Sequence, residues 1–376
     1  MNKPVIIDPE GLNQLISTLT RMGFQVVGPT VREEAIVYEK LESIKDLPEG
    51  FTDEQDGGIY RLKRRSDKAL FGYVVGPHSW KKFLHPPERR LWSADSEGND
   101  FKIKPEKLES PKFAFLGVRA CEMHAIAIQD KVFINDKYVD PVYQIRRENA
   151  FFIAVNCGQA GGTCFCVSMN TGPKVDTGFD LALTEILDTD RHYFVVEVGS
   201  DRGAACLEQV THQQAQNEEV RQAEDVVEKT SGQMGRTLDT THIKELLYDN
   251  LEHPRWDDIA ERCLSCANCT MVCPTWFWST VEDVTDMTGT HAERWQKWDS
   301  CFTMDFTYLH GGEVRASTKS RYRQWLTHKL ASWQDQFGSS GCVGCGRCIT
   351  WCPPAIDLTE EISQIRDSET QTSKPT

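Results

Sequence analysis

Cys263-Leu-Ser-Cys266-Ala-Asn-Cys269-Thr-Met-Val-Cys273-Pro274 and Cys342-Val-Gly-Cys345-Gly-Arg-Cys348-Ile-Thr-Trp-Cys352-Pro353 share one spacing, C-x2-C-x2-C-x3-C-P. It is the thiolate run that holds a [4Fe–4S] cubane. Two-residue gaps let three thiolates converge on three irons of one cubane. Small residues between them (Ser265, Ala267, Gly344, Gly346) let the backbone wrap closely, and the proline redirects the chain. The rival reading is a zinc-stabilised scaffold without redox function. Zinc sites, however, usually pair two C-x2-C knuckles a dozen or more residues apart. Here four cysteines fall within eleven residues, and they do so twice.

In two-cluster proteins of this kind the fourth cysteine ligates the other cluster. On that rule cluster one takes Cys263, Cys266, Cys269 and Cys352, and cluster two takes Cys342, Cys345, Cys348 and Cys273. The crossing would clamp the motifs together and keep the clusters close, as a wire for electrons. Cys273 and Cys342 stand 69 positions apart, and Tyr322, Trp325, Leu326, Leu330 and Trp333 recur between them at helical intervals. The spacing predicts a helical ferredoxin domain over 246–360. Its aromatics (Trp276, Phe277, Trp278, Trp325, Trp333, Trp351) are expected to pack around the clusters. The basic residues Arg315, Lys319, Arg321, Arg323, His328 and Lys329 read either as a solvated helix face or as a docking strip for an acidic partner.

Composition sets the surroundings. A chain of 376 residues suggests two or three domains at about 150 residues each. With 39% hydrophobic and 26% charged residues it reads as globular. A net charge of −14 repels phosphate backbones, so nucleic acid is not expected as a partner. No apolar run reaches the ~18 residues of a membrane span, and the N-terminus lacks a secretion signal's apolar core. The expected location is the cytoplasm, where 14 cysteines point to metal rather than disulfides.

Residues 1–207 read as an α/β domain. Strands are expected at Val5–Ile7, Phe24–Val27, Ala35–Tyr38, Leu70–Val75, Phe113–Gly117, Phe151–Val155 and Tyr193–Val198. A helix capped by Asp8 and opened by Pro9 should run to Gly23. Sites in open α/β sheets form beyond the carboxyl ends of strands, where Cys121 and Cys157 would fall. With Cys164 and Cys166, beside Gly158, Gly161 and Gly162, they form a candidate third metal or redox site, an iron–sulfur cluster among the options. The bland alternative is four buried apolar thiols. No G-x-G-x-x-G follows a strand and no Walker A motif occurs, so NAD(P) is not expected on this chain. No catalytic triad or acid pair stands out, so no catalytic residue is assigned. An acidic connector is expected over 208–245, a helical stretch over 238–262 and a flexible tail over 361–376. The whole is then an α+β, two-domain chain.

Four stretches in order carry a family resemblance. They are Gly117-Val-Arg-Ala-Cys121 with Ala125-Ile126; Asn156-Cys157 through Thr163-Cys164-Phe-Cys166-Val-Ser-Met-Asn-Thr-Gly172-Pro173; Ser320-Arg-Tyr-Arg-Gln324 with His328-Lys329; and Gly341 to Cys348. Together they resemble the beta subunit of cytoplasmic sulfhydrogenases, bidirectional [NiFe] hydrogenases that also reduce sulfur. The A subunit of anaerobic sulfite reductase is similar. The resemblance implies an electron-transfer subunit whose eight C-terminal cysteines ligate two [4Fe–4S] clusters. Its implied partners are a flavin and NAD(P)-binding subunit and the small and large [NiFe] hydrogenase subunits, or sulfite reductase subunits. A further alternative is that the N-terminal thiols themselves reduce sulfur or polysulfide. The family commonly has Pro-Cys-Asp where this chain has Ala120-Cys121-Glu122, which leaves the role of Glu122 open.

Overall fold

The Asp8 carboxylate accepts a hydrogen bond from the Gly11 amide, Pro9 opens the helix, and Pro9–Arg21 buries Leu12, Leu15, Ile16 and Leu19. The helix follows β1 (Val5–Ile7) and delivers the chain to β2 (Gln25–Arg32) and β3 (Ala35–Lys40). The structure, a computed structural model, describes residues 3–97, 100–135, 137–188 and 191–372. Next in order are β4 (Phe51–Asp56) and β5 (Ile59–Arg64), a separate hairpin, then β6 (Glu88–Glu97) and β7 (Asp100–Pro105). They are followed by β8 (Phe113–Val118), β9 (Phe151–Val155), β10 (Leu181–Leu187), β11 (His192–Val198) and β12 (Gln213–Gln214).

Eight strands make one mixed sheet in the order β12-β1-β11-β10-β9-β8-β2-β3. The central pairs β2·β8, β8·β9 and β9·β10 are parallel, and the outer pairs are antiparallel. Strand alternation puts Ala114 and Leu116 of β8 into the core with Leu12 and Leu15. Phe113 and Phe115 join the core of Met123 and Ile126, from the helix Ala120–Phe133. The sheet is thus covered on both faces, as its parallel centre requires. Both central strands end at the cysteines of interest.

Four expectations need correction. Leu70–Val75 is buried but is not a strand. Side chains satisfy its backbone instead: the Glu185 carboxylate accepts from the Leu70 and Phe71 amides (2.6 and 2.9 Å) and Asp53 accepts from Val74 (2.8 Å). The stretch 238–262 divides into Ile243–Asp249 and Arg255–Arg262, with Pro254 at the break. The segment between the motifs is not wholly helical. It holds β13 (Ser279–Thr285) and β14 (His291–Trp298), which join β6 and β7 in the order β13-β14-β6-β7. Cross-strand ion pairs, Arg294–Asp283 at 2.6 Å and Lys297–Glu282 at 2.8 Å, serve this exposed hairpin in place of apolar burial. The two halves of the chain therefore share a sheet.

The last correction concerns the expected tail at 361–376. Leu358–Thr372 is a helix, with Leu358, Ile362 and Ile365 buried at i, i+4, i+7. Buried Glu361 pairs there with Arg255 and Arg262. Residues 373–376 lie outside the described residues. The connector contains the helix Asn217–Ser231, which sets Ala223 against Ile186 and Val195. No helix among the described residues is long and apolar enough to cross a membrane.

Candidate iron–sulfur centres

The two motifs trace the same loop. Ser265 and Ala267 in the first, and Gly344 and Gly346 at the matching places in the second, all have φ between +50° and +73°. Left-handed residues turn the chain so that successive thiols face inward, and glycine adopts that conformation without strain. The second motif needs glycine for another reason. A Cβ on Gly346 would lie 2.4 Å from the Thr163 carbonyl oxygen, and one on Gly344 would lie 2.6 Å from Phe165 backbone atoms. The second motif is thus pressed against the N-terminal cysteine loop, and the Phe165 amide donates to the Gly344 carbonyl at 2.9 Å.

Cys263, Cys266, Cys269 and Cys352 line one cavity, with Cys348 also in its wall. Phe302, Tyr322, Trp325, Ile356 and Leu358 supply most of its bulky apolar lining. A cavity of this chemistry, ringed by thiols in a mostly apolar wall, fits a cubane. Cys266 is exposed and Leu264 beside it is 65% exposed, so this end reaches the surface.

Cys273 lies apart from that cavity, on a buried ammonium. Lys329 Nζ is 3.2 Å from its Sγ, 3.1 Å from Thr275 Oγ1 and 2.9 Å from the Gly341 carbonyl oxygen. Burial by itself would raise the Cys273 pKa. The ammonium first, and then the Thr275 hydroxyl, outweigh burial and bring it down to about 7. Burial opposes the charge of Lys329 too, but Cys273, Cys342 and Cys348 hold its pKa above the ordinary lysine value. Burial, followed by the charge of Cys342, pushes Cys348 well up. Lys329 sits in a π-helical turn, His328–Ser332, continuing the helix Thr318–Thr327.

The docking strip is not a strip. Arg321, His328 and Lys329 are buried, while Lys319 and Arg323 pair with Asp257 and Glu252. Of the aromatics, Trp276, Trp325 and Trp333 are buried in the core, and Trp351 stacks on Tyr60 at 5.1 Å.

The N-terminal thiols also converge. Cys121 lies in the first turn of the helix after β8, Cys157 two residues past β9, and Cys164 and Cys166 in the turns that follow. All four line one cavity, together with Cys345 of the second motif. Burial, and then the neighbouring Cys345 and Cys166, raise the Cys121 pKa well above the ordinary cysteine range. Among the described residues, no three His, Cys, Asp or Glu side chains close up at single-ion spacing.

Glu122, left open by the sequence, is fully buried between the two regions. Its carboxylate accepts from Arg347, Tyr38 (3.0 Å) and Trp80 (2.9 Å). Arg347 stands between Cys345 and Cys348, and Glu122 follows Cys121, so one ion pair ties the two thiol sites together. Neither Lys329 nor this pair was assigned a role at the thiol sites from the sequence. The only available signal was a basic residue among cysteines.

Comparison with known proteins agrees with this geometry. The 4Fe-4S dicluster domain matches residues 262–356. Sulfhydrogenase 2 subunit beta of Pyrococcus furiosus is 32% identical over 370 residues, covering 96% of this chain and 98% of that protein. No solved structure matches the chain. With two cysteine motifs in a matched dicluster domain and a likeness running nearly end to end, the chain belongs to the sulfhydrogenase beta-subunit family and is an iron–sulfur electron-transfer protein.

Proposed function

We propose that this chain relays electrons through two [4Fe–4S] clusters, between a flavin/NAD(P)-binding subunit and the catalytic small and large subunits of a cytoplasmic [NiFe] hydrogenase complex. Cys263, Cys266, Cys269 and Cys352 hold one cluster, and Cys342, Cys345, Cys348 and Cys273 hold the other. The observation that carries the reading is the gathering of the first three thiols of one motif with the fourth of the other around a single apolar cavity. Bound clusters supply one-electron acceptance and release. The protein's residues do the rest. Lys329 and Thr275 favour the thiolate form of Cys273. Phe302, Tyr322 and Trp325 keep water from the first cavity. The exposed Cys266–Leu264 end offers a partner's redox group a short approach. In this division of labour residues 246–360 carry the relay, and residues 1–207 brace it through the Glu122–Arg347 pair.

Anaerobic purification with iron and acid-labile sulfide analysis tests the reading. At least about 8 Fe per chain is expected, four for each cubane, along with co-purifying flavin and hydrogenase subunits. Stoichiometric zinc and a colourless protein would sink it.

A further inference from the structure

Four thiols on three separate segments meet at the carboxyl ends of two central parallel strands, β8 and β9. Chance burial of apolar cysteines would scatter them, as Cys206 and Cys301 are scattered into different cores. Instead Cys121, Cys157, Cys164 and Cys166 ring one cavity. Its apolar walls (Val74, Val75, Met234) resemble those of the first-motif cavity. The backbone is drawn in around it. A Cβ on Gly161 would lie 2.8 Å from Val74 and 3.3 Å from Cys164 Sγ, and one on Gly162 would lie 2.1 Å from the Gln55 carbonyl oxygen.

Charge also fits. Four thiolates buried together would repel one another unless cations offset them. Arg119 is buried in the same wall, its guanidinium fixed by the Phe71 and Tyr73 carbonyls at 3.0 and 2.8 Å. Backbone carbonyls set its position, and its charge faces Cys157 as well as the Glu122 carboxylate.

We infer that Cys121, Cys157, Cys164 and Cys166 hold a third iron–sulfur cluster, a [4Fe–4S] cubane, against the second cysteine motif. The inference rests on the relay reading and extends it by one step. Cys345 belongs to the second motif and lines this cavity too, so the new site abuts the second cluster's ligands. Three contacts fix that neighbourhood: Phe165 to Gly344, Thr171 Oγ1 to the Val343 carbonyl (2.7 Å), and Glu122 to Arg347. The resulting order is an exposed cluster at Cys266, an inner cluster at Cys273, and a third at the end of the α/β sheet.

The test is iron, sulfide and zinc analysis with low-temperature EPR, on the full-length chain produced anaerobically. Three proteins are compared: wild type, a Cys164→Ser/Cys166→Ser double variant, and Cys269→Ser in the first motif. The wild type should carry about 12 Fe per chain, three cubanes of four. The Cys164/Cys166 variant should fall to about 8 while keeping the EPR signals that Cys269→Ser alters. About 8 Fe in the wild type, with zinc or free thiols at the four N-terminal cysteines, would overturn the inference and leave the two-cluster reading standing. About 4 Fe, lost in the Cys164/Cys166 variant and kept in Cys269→Ser, would support this site and sink the two-motif reading. Should the double variant fail to fold, the wild-type count and its zinc content decide alone.

Discussion

Replacing Lys329 with methionine should make the cluster that shares Cys273 harder to reduce. The ammonium is fully buried, sits 3.2 Å from Cys273 Sγ and has no carboxylate partner among its hydrogen bonds. Its charge therefore acts on the ligand sphere with little solvent screening. An electron spread over iron and sulfide lies roughly 6 Å away, so at an effective dielectric of about 20 the interaction is near 332/(20 × 6), or about 2.8 kcal/mol. At about 59 mV per 1.4 kcal/mol for one electron, that is about 120 mV. Loss of a positive charge disfavours the added electron, so the midpoint should move in the negative direction. EPR-monitored redox titration of the anaerobic protein reads the shift cluster by cluster. Lys329→Arg keeps the charge and should stay near wild type. A shift below about 20 mV, a positive shift, or an equal shift of every cluster would refute the argument, the last because it would signal general opening to water.

Two further outcomes follow from buried charge and burial. Arg347→Met strands the Glu122 carboxylate in the core with only Tyr38 and Trp80 as side-chain donors. Removing one partner of a buried pair costs about 3–5 kcal/mol, so urea unfolding followed by tryptophan fluorescence should show a loss of that size, and a loss under about 1 kcal/mol would contradict the role given to the pair. His85 is buried between Phe133 and Trp298, and burial, then the nearby Lys81 charge, lowers its pKa to about 3. Its folded pKa lies below the unfolded value near 6.5, so its contribution is complete above pH 6.5 and is lost as pH falls toward 3. Linkage then gives about 2 kcal/mol less stability at pH 5 than at pH 7 from this residue. His85→Leu should remove that part of the slope, and an unchanged slope would show that His85 is not the group responsible.

Much of the architecture is legible in the chain. Asp8-Pro9 and the apolar spacing from Leu12 to Leu19 specify the first helix, because capping and periodicity are local. The strands leading to Cys121 and Cys157 read correctly for the same reason. Leu70–Val75 did not, since its apolar run resembles a strand while distant carboxylates on Asp53 and Glu185 take its amides. The β13–β14 hairpin was missed because its residues are polar and its pairing partner, β6, lies far back in the chain. The basic residues at 315–329 misled because a count of charges carries no burial. Three of the six are buried, and one sits on a cysteine.

The iron–sulfur character of the chain is legible in the sequence, because thiolate spacing is a short-range property: two residues between cysteines set the reach to a common cluster. The motif spacing also assigned Cys352 to the first site; what charge faces the thiols was decided only in three dimensions. The meeting of Cys352 with Cys263, the seat of Lys329 on Cys273, and the Glu122–Arg347 pair join residues 56 to 225 positions apart. Contacts of that separation leave no periodic trace in the chain, and they exist only once both halves have folded against each other.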